Sequence, residues 1–346
     1  MTNSPTVEAS PNVEHQKPDI TIETPSFQQA PLLAGVIDNV RAQQGIHIQH
    51  IVIDGKSTDG SLELLRARDT EVTWVSESDG GQAHAINKGF AMAQADIVGW
   101  LNCDDRLTPG ALALVVGLFA LAPDVEFLYG DALAVDLRGR NYGLRNHVKK
   151  CDLDSLVRLG DPIVQPAAFW RRDLWKRVGG LREDFEFAFD YEFWMRVAAE
   201  TTLHYVPVCF AVECLHGDAK TSTGDLGRMA EIGAVARLHG GDGIPRGFIA
   251  EAAALEALAT MKALIRGKIK AARLHAYTAW SLKPGIWKFG AHALANVVPG
   301  SRAVPRLRLI ANRMRSRRKP LYPTQLRSRH LPRSAEVTKL SFGGAA

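Results

Sequence analysis

The stretch Ile97-Val-Gly-Trp100-Leu-Asn102-Cys-Asp104-Asp105 carries an apolar run, Ile97–Asn102, straight into two adjacent carboxylates. Segments with helical spacing flank it, Gln82–Ala93 before and Ala111–Leu121 after. The pattern repeats along the first half of the chain. Short β-branched runs stand at Ile20–Thr24, Ile48–Ile53, Val72–Ser76 and Phe127–Tyr129, and helical segments at Leu32–Gln43 and Ser61–Arg68. Strands spaced by helices of this length predict βαβ units, and so an α/β fold with a mostly parallel sheet flanked by helices. Residues 140–240 read as more mixed, with a helix starting near Asp190 and a strand near Leu203–Val208. Beyond Gly240 the pattern becomes helical and basic.

Acids stand at the ends of these strands. Ile48–Ile53 runs into Asp54, Val72–Ser76 into Glu77 and Asp79, and Phe127–Gly130 into Asp131. Ligands of open α/β sheets sit at the carboxyl ends of the strands, so these acids are expected along one edge. Like charges gathered there raise one another's pKa unless a cation offsets them. Hard oxygen donors suit Mg²⁺ or Mn²⁺, held by one or two carboxylates together with substrate phosphates. Aspartate after a strand also forms turns and N-caps, and Asp59 or Asp105 could be that alone. The G-x-G-x-x-G, P-loop, G-x-S-x-G and H-E-x-x-H patterns are absent, which argues against a dehydrogenase, P-loop ATPase, serine hydrolase or zinc protease.

Composition sets the outer limits. The chain has 346 residues, 46% hydrophobic and 23% charged, enough for one large domain or two small ones. Residues 1–18 are polar and proline-containing and are expected to be a disordered lead. That lead lacks the basic start and apolar core of a secretory signal. The longest apolar run, Ala111–Ala122, is too short to cross a bilayer as a helix. Four cysteines without a CxxC or zinc spacing point to a reducing compartment, so a cytoplasmic location is expected.

Several segments resemble the family 2 glycosyltransferases of GT-A fold. They are Thr24-Pro-Ser-Phe27, Ile53-Asp-Gly-Lys-Ser-Thr-Asp-Gly60, Glu77-Ser-Asp-Gly-Gly-Gln82, Asn87-Lys-Gly89 and Trp100-Leu-Asn-Cys-Asp-Asp105. Tyr129-Gly-Asp131, Gln165-Pro166, Val178-Gly-Gly180 and Asp190-Tyr-Glu-Phe-Trp-Met-Arg196 continue the series in the family's order. The resemblance implies a Rossmann-like GT-A domain over 19–240, with a nucleotide-sugar half (19–131) and an acceptor half (132–240). A basic helical extension (241–346) completes the chain. It also implies an enzyme moving a hexosyl or related group from a nucleoside-diphosphate sugar, expected to be UDP-linked, to a saccharide or lipid-linked acceptor in surface or exopolysaccharide assembly.

The same resemblance implies roles at the site. Thr24, Pro25, Ser26, Asp54 and Asp79 hold the base and ribose, and Ser57, Gln82, Asn87, Lys88 and Asn102 complete the donor set. Asp104 and Asp105 meet the metal and diphosphate. Asp131 resembles a donor-sugar contact, and Gln165-Pro166 an acceptor contact. His216, near Lys220, is similar to a histidine of a loop over the diphosphate. Asp190 takes the place of the catalytic base. Its neighbours in Phe185-Glu-Phe-Ala-Phe-Asp-Tyr-Glu-Phe-Trp194 would desolvate it and raise its basicity. Asp190 could instead cap a helix Tyr191–Ala199, with Glu192 as the alternative base. Two positions depart from the family, which commonly has aspartate at Asn102 and at His84.

Charge is divided unevenly. From Met261 to Ala346 there are 19 Lys and Arg against one acid, Glu336, while the first 260 residues balance to −13. Met261, Leu264, Ile265, Ile269 and Ala272 form an apolar stripe among Lys262, Arg266, Lys270 and Arg273, and Trp280 and Trp287 lie beyond it. Such a basic amphipathic segment reads as an anionic membrane-surface element over 261–319, at the inner face of the membrane. A helical face packed on the domain is the other reading. A sugar-phosphate nucleotidyltransferase is the rival enzyme, but the loop Thr24–Ala30 is not the Gly-rich, cationic loop it would want. A nucleic-acid-binding protein led by the tail is the non-enzymatic rival, and an acidic body would repel a phosphate backbone. No nucleic-acid partner is expected.

Overall fold

A computed structural model describes residues 8–9, 17–145, 151–216 and 225–282. The strands are β1 (Glu8–Ala9), β2 (Ile20–Ser26), β3 (Ile48–Asp54), β4 (Thr73–Ser76), β5 (Ile97–Trp100), β6 (Arg106–Leu107), β7 (Phe127–Asp136), β8 (Asn141–Arg145), β9 (Ala168–Arg171) and β10 (Leu203–Leu215). The helices are α1 (Ala30–Arg41), α2 (Ser61–Ala67), α3 (Gln82–Ala91), α4 (Ala111–Leu121), α5 (Leu153–Leu159), α6 (Arg172–Val178), α7 (Phe189–Glu200), α8 (Asp225–Leu238), α9 (Arg246–Ile265) and α10 (Ile269–Leu282). Ten strands form one sheet in the order β1-β4-β3-β2-β5-β9-β7-β10-β6, with β8 beside β7.

The sheet is mixed, and its longest ladders are the parallel ones, β2 with β3 and β7 with β10. β9 runs antiparallel between β5 and β7 and so keeps those two parallel to each other. All seven residues of β2 are buried, as a central parallel strand covered on both faces requires. On one face, Leu33, Val36 and Val40 of α1 and Leu112, Val115 and Phe119 of α4 pack with Ile20, Ile22 and Val52.

Aromatic rings fill the opposite contact, and they position the site. Trp100 of β5 stacks on Trp194 of α7 at 5.7 Å, and Phe127 of β7 stacks on Trp170 of β9 at 6.0 Å. Phe189, in the first turn of α7, lies 6.3 Å from Trp100. Each pair contributes about 0.5–1.5 kcal/mol beyond area burial, so the start of α7 is held against the end of β5.

Three expectations are corrected. The lead thought to lack structure contains β1, where Glu8 and Ala9 pair with Ser76 and Val75 of an edge strand that otherwise offers unpaired backbone groups. The rest of that lead before Lys17 lies outside the described residues. β7 and β10 run far beyond Phe127–Gly130 and Leu203–Val208, so Asp131 lies within a strand rather than at its end. Gly130 is there because the strands approach closely: a Cβ would lie 2.4 Å from the Val208 carbonyl oxygen. α7 begins at Phe189, so Asp190 sits within its first turn and is not its cap.

By packing, the described residues up to Gly243, apart from Arg158–Gly160, form one unit. A second unit comprises Arg158–Gly160 and the described residues from Ile244. In it, α9 and α10 make a helical hairpin with small buried residues, Ala253, Thr260, Ala263, Ala272 and Ala279. Glu256 on α9 bonds His275 of α10 at 2.7 Å.

Candidate active site

Register places the expected residues at one level. Ser26, Asp54 and Ser76 are aligned across β2, β3 and β4, so the loops after these strands open on the same edge. Val98 and Phe127 both face Trp170. Asp131 therefore stands as far beyond Phe127 as Asn102 does beyond Val98, although β7 continues past it. Its Oδ1 accepts the Tyr205 hydroxyl at 2.9 Å.

The acids at these ends are not equivalent. Asp54 is fully buried and accepts the Ser57 amide (2.9 Å), the Ser57 hydroxyl (2.6 Å) and the Ser76 hydroxyl (2.7 Å). It locks the β3 turn to β4, and Ser57 also receives the Gln28 amide at 2.8 Å. Thr24 is buried too, bonded at 2.9 Å to His50, whose burial lowers its pKa to about 3 and leaves the ring neutral. Pro25 and Ser26 are buried as well. The open part of this edge is Phe27, 62% exposed, whose ring lies with the half-buried Asp79 against Gly55. Asp79 Oδ1 accepts the Gly81 amide at 2.9 Å, and His84 Nδ1 accepts that of Gly80 at 2.7 Å. Asp59 behaves as the turn former it could be, receiving the amides of Ser61 and Ala30.

α3 divides its residues between two tasks. Lys88 pairs with Glu77 at 2.6 Å. Asn87 receives the Leu181 amide at 2.8 Å and donates to the Leu181 carbonyl at 2.9 Å. Both of its side-chain atoms thus clamp the loop after α6, and its environment is structural. Gln82 instead enters a chain of amides, donating to Asn102 Oδ1 at 2.9 Å, while Asn102 donates to Gln165 Oε1 at 3.0 Å. Gln165 opens a 3-10 turn, Gln165–Ala167, in which Pro166 is buried.

Beyond β5, Asp104 Oδ2 lies 2.9 Å from His216 Nε2, with Asp104's side chain 17% exposed. Asp105 is 4% exposed and receives the Cys214 amide at 3.0 Å. Burial, then the charges of Asp104 and Glu213, push its carboxyl well above the usual range against that amide bond. Among the described residues no three His, Cys, Asp or Glu side chains form a metal cage. The donor set nevertheless fits a hard cation of the kind that keeps one or two protein carboxylates and takes its other oxygens from phosphates. Asp104 is the accessible carboxylate, and Asp105 is already engaged inside the protein. Lys220 lies outside the described residues.

Asp190 is half-buried and accepts the Tyr191 amide at 2.7 Å. Glu192, the alternative expected from the sequence, is placed differently. It is 2% exposed and held in a two-pronged pair with Arg196 at 2.8–2.9 Å. Burial pushes its carboxyl up, but bonds from His239 and Arg196 outweigh this and hold it low.

Three acids here carry no motif. Asp161 accepts the Ile163 amide at 2.8 Å, and burial and then the Asp190 charge drive its carboxyl well up. Glu213 sets a like charge near Asp105 and adds to the rise of its carboxyl. Glu231 of α8 receives the amides of Glu186 (2.9 Å), Phe187 (2.7 Å) and Ala188 (3.0 Å), capping the approach to α7. Of these, only the Gly-Asp-Pro at 160–162 had a local signal, that of a turn.

Comparison with known proteins adds to this geometry. A family model described as Glycosyl transferase family 2 matches residues 21–170. An uncharacterized glycosyltransferase of Mycobacterium tuberculosis is 31% identical over 228 residues, which cover 62% of this chain and 84% of that protein. The O-antigen biosynthesis protein RfbC of Myxococcus xanthus is 30% identical over 54% of this chain, a match spanning only 15% of RfbC. Among solved structures, residues 1–349 of TarS from S. aureus, in complex with UDP, superpose with a TM-score of 0.52 at 13% identity. That match covers 64% of this chain and 66% of TarS 1–349 and shows a shared fold.

Proposed function

Because this chain belongs to the family 2 glycosyltransferases, we propose that it transfers a sugar from UDP to an acceptor hydroxyl, with inversion, in surface or exopolysaccharide assembly. The observation that carries the site is the meeting of Asn102 and Asp104, in the loop after β5, with Gln165 and His216 from distant parts of the chain. The acceptor oxygen attacks the anomeric carbon as its proton passes to Asp190. The bond from that carbon to the diphosphate breaks, and its electron pair leaves with the diphosphate. A single displacement inverts the carbon. Burial and then the Asp190 charge raise the Asp161 carboxyl, so Asp161 is the more reluctant of the two acids to ionise beside the base. Asp104 would hold Mg²⁺ or Mn²⁺ together with the donor phosphates, and such an ion neutralises charge on the leaving diphosphate.

The donor assignment rests on the strand-end edge, where Phe27 and Asp79 offer a ring and a carboxylate, and is supported by the UDP complex of TarS. His216 and Gln82 belong to the donor side in this reading and Gln165 to the acceptor side. Thr24, Asp54 and Ser57 act through the loops they brace. The test is a thermal-shift panel of UDP, GDP, TDP and CMP with and without Mn²⁺. UDP with Mn²⁺ is expected to raise the melting temperature most, since a ligand at about 100 times its Kd stabilises by about 2.7 kcal/mol. A larger shift with another nucleotide would replace the donor, and no shift with any would overturn the reading.

A membrane-surface role for the second unit is the remaining proposal, and it favours a lipid-linked acceptor. Ile265 (83%), Leu274 (66%), Tyr277 (67%) and Trp280 (52%) are exposed beside Lys262, Arg266, Lys268, Lys270 and Arg273. Residues 283–319 of the expected element lie outside the described residues. No described helix is long and apolar enough to cross a membrane. The protein is expected to sediment with anionic liposomes at low salt and to be released as salt screens the attraction, each surface cation contributing about 1 kcal/mol. Protein left in the supernatant at low salt would remove this role.

A further inference from the structure

We propose that Asn102 is a positioning residue that has to be an asparagine, because a one-way amide relay joins the donor side of the site to its acceptor side through it. The proposal rests on the transfer reading for its catalytic consequence, but the relay stands on geometry alone.

The relay starts at a backbone carbonyl. Gln165 Nε2 donates to the Trp100 oxygen at 2.7 Å. A carbonyl only accepts, so the Gln165 amide has one orientation and its Oε1 must face Asn102. Asn102 meets that oxygen with Nδ2 at 3.0 Å, and the same nitrogen lies 3.4 Å from Asp105 Oδ2. Its Oδ1 is thereby turned toward Gln82 Nε2, which donates at 2.9 Å. Every donor in the series is set by the first. The relay ties together the first turn of α3, the end of β5 and the 3-10 turn at Gln165.

An aspartate at this position has the same shape but only acceptor atoms. It would face Gln165 Oε1, a further acceptor, where Nδ2 now donates at 3.0 Å. Turning Gln165 over would relieve one clash and create another, setting Oε1 against the Trp100 carbonyl. A carboxylate here would also add a like charge beside Asp104 and Asp105. The residue the resemblance leads one to expect at this position is therefore the one the relay rejects.

The test is a cycle of full-length variants, Asn102→Asp, Gln165→Ala and both together, with Asn102→Ala for comparison. Melting of the metal-free protein is measured first, since it needs neither donor nor acceptor. Asn102→Asp is expected to melt lower than Asn102→Ala despite its isosteric fit. In the Gln165→Ala background its penalty should shrink, because the opposing oxygen is gone, giving a non-additive cycle. Strictly additive losses, or an Asn102→Asp protein as stable as wild type, would overturn the relay whatever the enzyme transfers. Kinetics then tests the positioning role with the variant that breaks the relay without adding charge: Asn102→Ala should lower kcat by about tenfold or more with Mn²⁺–UDP affinity nearly unchanged. Equal loss of both would overturn it, as would full activity, and neither result would alter the transfer reading.

Discussion

Asp190→Asn is expected to lower turnover by about 10²–10⁴-fold, the usual contribution of a positioned general base. Asparagine keeps the size of the side chain and an oxygen for the Tyr191 amide, which Asp190 now receives at 2.7 Å. The first turn of α7 should therefore stay in place, and nucleotide affinity with it. Glu192 cannot substitute, since both of its oxygens are committed to Arg196. Stability gives a second, independent readout. Asp161 is raised by burial and by Asp190, so its protonated form favours the folded state fully below its ordinary value of 3.8, and that contribution is lost as pH rises. Removing the Asp190 charge weakens the loss, so the variant should gain in melting temperature relative to wild type as pH increases above 3.8. Undiminished turnover would remove Asp190 from the base role. Weak nucleotide binding in a cooperatively folded variant would do the same.

Asp104→Ala is expected to abolish the Mn²⁺-dependent part of UDP binding, a loss of about 10²-fold or more, or roughly 3 kcal/mol. The fold should survive, because Asp104 is partly exposed and its carboxylate meets the His216 ring rather than the backbone. Asp105→Ala should behave differently. It leaves the Cys214 amide without its carboxylate in a buried setting, so it should lower the melting temperature even without metal. Calorimetric titration of UDP with and without Mn²⁺, beside thermal melts of both variants, separates the two acids. Metal-stimulated binding retained in Asp104→Ala, or wild-type activity in excess EDTA, would refute the assignment.

The alternation of strand and helix was legible in the sequence because β-branched runs and helical spacings do not mimic each other over that length. Helices α1 to α4 and strands β2 to β5 lie within about two residues of their expected bounds. β7 was not legible beyond Gly130, because a glycine followed by an aspartate reads as the end of a strand. The reason for the glycine is the Val208 carbonyl on another strand, which no local pattern reports. Sequence likewise marks an acid at a strand end without telling whether it turns inward. Asp54 and Asp104 occupy similar places, yet three donors hold the first within the protein while the second stays accessible. Asp161, Glu213 and Glu231 were invisible because each owes its role to a partner distant in the chain. Gln82, Asn102 and Gln165 were named as separate contacts, and their joining appears only in three dimensions.

The Glu231 cap bears on how such a catalytic unit can be exchanged between proteins. The family match ends at residue 170, the proposed base stands at 190, and the carboxylate steadying the approach to it comes from 231. A hybrid joined at the end of the matched segment would inherit the sheet edge and its acids but take α7 and α8 from its other parent. It would then depend on that parent bringing a matched acid and loop together. The smallest transplantable piece is the one that keeps 186–188 and Glu231 in the same hands, and recombination between relatives should respect that linkage before it respects the family boundary.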